Sequence, residues 1–169
     1  MRKALLYPIL TLALACNDAT VFQPDEDLTF SAASAPWLVL TWQETFDQPY
    51  AGESWVTESG ILQMRSIDNG FSVTGELVGY AHVYGRVMID TRTGNGNGSG
   101  SAHYDLTEPG VGTLECTWNS KLYEFPVFVQ YGQSFCKGTG HFEGWKVKGT
   151  TTNETNPGIG VYDVTAEVR

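Results

Sequence analysis

From residue 37 onward, hydrophobic and polar residues alternate along most of the chain. The runs 38–42, 61–66 and 71–78 show the pattern, and each lies close to Gly, Pro, Asn or Asp. A period of two places successive side chains on opposite faces of a β-strand, and no stretch has the 3.6-residue period of a helix. The pattern predicts one all-β domain over residues 37–169, an antiparallel meander of about ten strands.

Turns between these strands are predicted where Asn, Asp and Gly cluster. The clearest are Asp68-Asn69-Gly70, Asn95-Gly96-Asn97-Gly98 and Asn119-Ser120. Asn or Asp followed by Gly between two strand-like runs is a strong hairpin signal. Pro126 cannot donate a ladder hydrogen bond, so we expect a bulge, a bend or a sheet edge at that residue.

Glycines recur inside the strand-like segments. The stretch GTGHFEGWKVKG at 138–149 has the pattern strand, tight bend, strand, and glycine occupies every second position from Gly94 to Gly100. Glycine within strands marks bulges, tight bends or close backbone approach. This spacing predicts a sheet that is closed, or nearly closed, into a barrel.

The first fifteen residues have the organisation of an export signal. Met1-Arg2-Lys3 is a short basic region, residues 4–14 are mainly apolar, and Ala15 precedes Cys16. The arrangement resembles a bacterial lipoprotein signal, in which the cysteine becomes the lipidated first residue of the mature chain. An ordinary secretory signal ending at residues 13–15 is the alternative, and both predict export.

Charge limits the partners that the exported domain can have. The formal net charge is −9, and removal of residues 1–15 would take away two basic residues and no acidic residue. An acidic domain is a poor partner for nucleic acid, so membrane contact is expected through acyl chains on Cys16. Residues 16–36 are polar and weakly patterned, which predicts a lipidated cysteine on a flexible tether. The predicted location is the bacterial cell envelope.

Four segments together resemble a group of exported bacterial proteins of unassigned function. They are GILQMRS at 60–66, RTGNGNGSGSAHYDL at 92–106, GTLECTWNSK at 112–121 and GTGHFEGWKVKG at 138–149. The resemblance extends over residues 55–169. It implies a calycin-like barrel of the allene oxide cyclase type, and it transfers no catalytic residue.

Cys116 and Cys136 are the two cysteines that remain once Cys16 is assigned to lipidation. An oxidising compartment favours a disulfide between them, worth about 3 kcal/mol for a loop of this length. Turns at 119–120 and 132–133 would place a third strand between the two cysteines, beyond bridging distance. A wide excursion around Pro126 would remove that objection, so both arrangements stay open.

The histidines raise the question of a metal site. His103-x-Asp105 and His141-x-Glu143 each place two ligand types on one face of a strand, and His82 offers a third nitrogen. Alternating antiparallel strands place such polar side chains toward solvent by default. Because the sequence has no H-x-H pair and no cluster of Cys and His, we predict no metal and no cofactor.

Two further constellations bear on chemistry. The first is a set of acidic residues beside aromatic residues, as in the active sites of glycosidases. The alternative is that these acids are ordinary charged residues in solvent. The set comprises Glu44, Asp47, Glu53 and Glu58 with Trp42, Tyr50 and Trp55. No nucleophile elbow, P-loop or dinucleotide fingerprint is present, so no catalytic residue is predicted. The second is a set of candidate ligand-binding aromatics, which are Tyr80, Tyr84, Tyr104, Trp118 and Trp145. Core packing is the alternative for these rings.

Three functions remain open at this point. The first is a non-catalytic binding or structural module of the envelope, and the second is a lipocalin-type carrier of a small apolar ligand. The third is an isomerase or cyclase similar to allene oxide cyclase. An open interior pocket lined by Tyr and Trp would favour the carrier, and a buried titratable group in that pocket would favour the enzyme.

Overall fold

The computed structural model of the protein describes residues 38–47, 51–158 and 160–169. The predicted signal peptide, Cys16, the tether and Tyr50 lie outside these residues. The described residues form nine strands: β1 (Leu38–Phe46), β2 (Ala51–Val56), β3 (Ile61–Gly75), β4 (Val78–Asp90), β5 (Asn95–Glu108), β6 (Gly112–Tyr123), β7 (Val129–Gly140), β8 (Lys146–Thr152) and β9 (Val161–Val168). The described ranges contain no helix, so none there has the length and apolar character needed to span a membrane.

The sheet closes because β1 has a partner on each side. Nearly all of β1 pairs with β9, and its residues 42–46 also pair with residues 71–75 of β3. Strands β1 and β3–β9 therefore form an eight-stranded antiparallel barrel in meander order. β2 is an additional strand that pairs with the first part of β3. The predicted all-β meander and barrel are confirmed, with nine described strands where about ten were predicted.

Alternation decides which side chains face the barrel interior. On β1, Leu40, Trp42 and Glu44 are buried, whereas Thr41 between them is exposed. In the strand register, each interior residue is paired with an interior residue of the next strand. Ala102 on β5, for example, lies opposite Cys116 on β6, and both are buried. Burial of each large apolar side chain contributes about 1.5–3 kcal/mol, which favours apolar residues on the interior face of the barrel strands.

One end of the barrel is filled by side chains that come from turns. Phe142 in the turn between β7 and β8 and Leu77 in the turn between β3 and β4 are fully buried. The Phe142 ring packs edge to face on Trp145, with ring centroids 5.0 Å apart. A Cβ atom at Gly138 would lie 2.1 Å from the Phe142 carbonyl oxygen, so glycine is required for this approach. We call this end the closed half, defined by Leu40, Leu77, Leu114, Phe142 and Val147.

Cys116 and Cys136 form a disulfide between neighbouring strands. The two residues are directly opposite each other on β6 and β7, with Cα atoms 4.0 Å apart. The turn predicted at residues 119–120 is wrong, because β6 continues to Tyr123 and the chain reverses at 124–128, around Pro126. No third strand lies between the cysteines, so the geometric objection to the disulfide falls away.

Two other predicted turns are also wrong. Residues 68–70 lie within β3 and pair with residues 82–84 of β4, and the chain reverses at residues 76–77, between β3 and β4. The second turn precedes Asn95, since Gly94 has a φ of 72° and its amide donates to the Asp90 carbonyl. In both places, pairing along a long strand outweighs the local preference of Asn-Gly for a turn.

Candidate functional site: the interior cavity

The half of the barrel opposite the closed half encloses a cavity of about 380 Å³. Small-molecule sites commonly occupy about 300–1,000 Å³, so the volume suits a small ligand. We call this end the open half, defined by the apolar and aromatic side chains on the cavity wall, which are Phe46, Met64, Ile67, Phe71, Val83, Val87, Ala102, Tyr104, Trp118, Leu122, Phe128 and Tyr162.

Glycines on two strands make room for one wall of the cavity. The Trp118 indole lies across β5 and β4. It can do so because Gly85 and Gly98 have no side chain there: a Cβ atom would lie 2.6 Å from the ring at Gly85 and 3.0 Å from it at Gly98. Its Nε1 donates to the backbone carbonyls of Tyr84 and Ser101, at 3.2 and 3.1 Å. The glycine at every second position of β5 thus removes side chains from the interior face, and the indole forms a flat apolar wall there.

A buried carboxyl group lies on the cavity wall next to the closed half. Glu44 is only 6% exposed and lines the cavity. Its Oε1 atom accepts hydrogen bonds from the Tyr104 hydroxyl at 2.7 Å and from Trp42 Nε1 at 3.0 Å. These bonds come from β1 and β5, and they fix the orientation of the carboxyl group.

Burial shifts the titration of this group and of its neighbours. Desolvation raises the pKa of Glu44 above its usual 4.5, and the hydrogen bonds from Tyr104 and Trp42 oppose that rise. Desolvation and the nearby Glu44 raise the pKa of Tyr104 well above its usual value. The same two causes raise the pKa of Tyr162. The site therefore favours the uncharged form of all three groups.

Asn69 and Asn153 are two of the five side-chain amides on the cavity wall. The Oδ1 atom of Asn69 is buried and has no hydrogen-bond partner among the described residues. Asn153 is fully buried, donates from Nδ2 to the Phe128 carbonyl at 2.9 Å, and accepts from the Gln130 amide at 2.7 Å. Asn153 thus holds the segment after β8 against β7, whereas the Asn69 oxygen has capacity for a donor.

The structure places two of the five candidate ligand-binding aromatics on the cavity wall, namely Tyr104 and Trp118. Tyr80 and Tyr84 lie on the outer face of β4, on either side of the His82 ring. Trp145 packs against Phe142 in the closed half. The cavity wall thus brings together Tyr104 and Trp118 but not the other three.

The histidine–carboxylate pairs lie on the outside of the barrel. His103 contacts Glu115 at 2.5 Å and Asp105 at 3.2 Å, and His82 lies 3.9 Å from Asp68. Partial burial lowers the pKa of His103, but its bonds to Glu115 and Asp105 outweigh this, and the net shift is upward. Among the described residues, no three His, Cys, Asp or Glu side chains have an arrangement that could hold a metal ion.

The four acids near the start of the domain are not brought together. Glu44 faces the interior, whereas Asp47 is exposed and accepts hydrogen bonds from Ser72 and Tyr80. Glu53 and Glu58 are exposed. The special position of Glu44 was missed, although a signal exists: it shares its parity on β1 with Leu40, Trp42 and Phe46, and so must face the same interior.

Comparison with known proteins does not assign the chain to a family. No family model matches it, and no curated protein is significantly similar to it. Function must therefore be inferred from the cavity and its residues.

Proposed function

We propose that the barrel binds a small, largely apolar molecule in its interior cavity. In this proposal the protein is a non-catalytic, lipocalin-type carrier, held at the bacterial cell envelope by lipid on Cys16. The observation that carries the proposal is the cavity itself, about 380 Å³ lined mainly by apolar and aromatic side chains. Among the three functions left open by the sequence, the carrier and the enzyme need such a space, whereas a purely structural module does not.

Energetics separate a carrier from a purely structural module. Core volume left unfilled forgoes stabilisation of about 24 cal/mol per Å³, and a structural module would gain nothing from forgoing it. Gly85 and Gly98 have no side chain at the two positions where a Cβ atom would clash with the Trp118 ring. The arrangement supports an interior kept for a ligand.

One observation favours an enzyme as the second candidate. Glu44 is a buried carboxyl group on the cavity wall, and its raised pKa is typical of a general acid. In that case the barrel would hold an apolar substrate, and Glu44 would donate a proton at one position of the substrate and regain one from another, since substrate and product of an isomerisation or cyclisation have the same number of protons. The reaction would be recognised by recovery of a bound molecule in a changed form.

Native mass spectrometry after gentle extraction tests the carrier proposal. We expect a co-purifying small molecule on the wild-type protein. Gly132→Leu should abolish its retention, because Gly132 lines the cavity and a Cβ atom there meets only ordinary contacts at 3.5 Å. Tyr131→Leu places the same side chain on the outer face of the same strand and should retain the molecule.

Equal occupancy in wild type and in Gly132→Leu would overturn the interior site. Anchoring is tested separately with Cys16→Ser, which should move the protein from the membrane fraction to the soluble fraction. Unchanged partitioning in that variant would contradict lipidation of Cys16 without affecting the carrier proposal.

A further inference from the structure

On the cavity wall, only one of the two oxygens of the Glu44 carboxyl group forms hydrogen bonds with described residues. Both hydrogen bonds to the Glu44 carboxyl fall on Oε1, and no described residue bonds to Oε2. A protonated carboxyl group has one O–H donor, and Oε1 already accepts from Tyr104 and Trp42. When the carboxyl group is protonated, its proton therefore belongs on Oε2, where it offers a donor to the cavity.

The wall also lacks the charges that an anionic ligand would need. Apart from Glu44 and two tyrosines, the described lining residues have no ionisable side chain, and none is Lys, Arg or His. The other polar lining residues are uncharged amides and hydroxyls, and a buried anion without a cation beside it is strongly disfavoured. A carboxylate or phosphate ligand would, in addition, meet Glu44.

Resting on the proposed carrier function, we infer that the ligand is uncharged and carries an accepting oxygen, such as a carbonyl or ether, that bonds to Oε2 of Glu44. Its body is apolar and lies against the Trp118 and Phe71 side of the wall. The cavity thus excludes free fatty acids and selects neutral oxygenated molecules of similar size.

A second contact fits the other end of such a ligand. Asn69 lies four residues from Val73 on β3, and Val73 is directly opposite Glu44 on β1. At about 3.3 Å per residue, the two polar groups are separated by about 13 Å along the strand. The unpartnered Oδ1 of Asn69 accepts a hydrogen bond, so a hydroxyl at the far end of the ligand completes the match.

Binding should depend on pH through Glu44. The titratable groups that face it are Tyr104 from β5 and Tyr162 from β9, while Val73 across the β1–β3 pair is apolar. Ionisation of Glu44 removes the O–H donor. Oε2 is then an acceptor that faces the ligand's own accepting oxygen, which disfavours binding. Glu44→Gln keeps the shape, and its amide offers a donor that does not titrate.

Displacement of the neutral dye Nile red from the full chain carrying Cys16→Ser measures this selectivity without detergent. Three medium-chain probes of equal length are compared, namely a methyl ketone, the carboxylic acid and the alkane. At neutral pH we expect the ketone to bind at least about tenfold more tightly than the carboxylate. As the pH rises through the Glu44 titration, ketone affinity should fall about fivefold or more in this chain and stay constant in Glu44→Gln.

The outcomes separate the inference from the proposed function. If the carboxylate binds as tightly as the ketone, or ketone affinity does not change with pH, the inference is overturned while the carrier proposal stands. If dye and probes all fail to bind, or bind equally to Gly132→Leu, the carrier proposal itself fails. The comparison of ketone with carboxylate needs no substitution at Glu44, so it remains decisive if Glu44→Gln does not fold.

Discussion

The closed and open halves of the barrel are built from the same strands but differ in what occupies their interior. In the closed half, Phe142 and Leu77 enter from the turns and are fully buried. In the open half, the turn at 124–128 and the segment after β8 leave a cavity, and glycines on β4 and β5 remove side chains from its wall. Alternation is the same in both halves, so the residues in the turns and the glycines on the strands together decide between core and cavity.

Glu44 lies where these two regions meet. Its strand neighbours Leu40 and Trp42 belong to the packed core, whereas Glu44 itself lines the cavity. Its carboxyl group is oriented by Trp42 from the packed core and by Tyr104 from the cavity wall, and it faces the open half. That division suits a ligand site, because a fixed first contact reduces the entropy lost on binding.

The two halves should differ most in the free energy of unfolding that is lost when a phenylalanine in each is replaced by alanine. Phe142→Ala should lower the free energy of unfolding by about 3–5 kcal/mol, since the ring is fully buried in the closed half. Phe128→Ala on the cavity wall should cost about 1 kcal/mol, mainly the lost ring contact with Phe125. Urea unfolding measures both values, and equal losses would contradict the distinction.

The disulfide should be the next largest contribution. Replacement of Cys116 and Cys136 together by Ala should lower the free energy of unfolding by about 3 kcal/mol, the chain-entropy value for a loop of this length. The two residues are 20 apart in sequence and belong to the core next to the Trp118 wall. Wild type unfolded in urea with reductant should lose a similar amount, and no loss in reductant would show that the bond does not form.

Two glycines on β7 provide a finer comparison. Gly138→Ala should cost about 1–3 kcal/mol, because its Cβ would lie 2.1 Å from the Phe142 carbonyl oxygen. Gly132→Ala, six residues earlier and on the same strand face, should change stability by less than about 0.5 kcal/mol, since its Cβ meets only ordinary contacts. Thermal unfolding of the two variants checks the pair. Similar losses would mean that the open half is packed as tightly as the closed half.

The smallest expected effect is the pH dependence that Glu44 imposes on stability. Because its pKa is raised in the folded state, the folded protein keeps a proton that the unfolded chain releases above about 4.5. The stabilisation is complete below that pH and is lost as the pH rises through the folded pKa, with a slope of at most about 1.4 kcal/mol per pH unit. Glu44→Gln should lack this loss. A difference between wild type and variant that stays constant with pH would show that Glu44 remains ionised when buried.

Several features of the fold could be predicted because they depend on local periodicity. The alternation in 38–42 and 61–66 indicates strands regardless of the partner, and the bend after Gly140 is present as predicted between β7 and β8. The turns at 68–70 and 119–120 could not be predicted correctly, because each residue there gains ladder bonds only when its neighbouring strand is in register. The candidate site divides in the same way. Tyr104 and Trp118 reach the cavity, whereas the equally aromatic Tyr80 and Tyr84 face outward because of their parity on β4.

The sequence by itself determined the all-β class, since a hydrophobic period of two requires each strand to bury one face, and its glycine spacing predicted closure into a barrel. It also contained the parity that sends Glu44 inward. Only the tertiary structure decided that one half of the interior is filled and the other is a cavity. That outcome depends on whether rings such as Phe142 and Trp118 point into the barrel axis or lie flat on glycines across the wall, and those contacts join residues far apart along the chain.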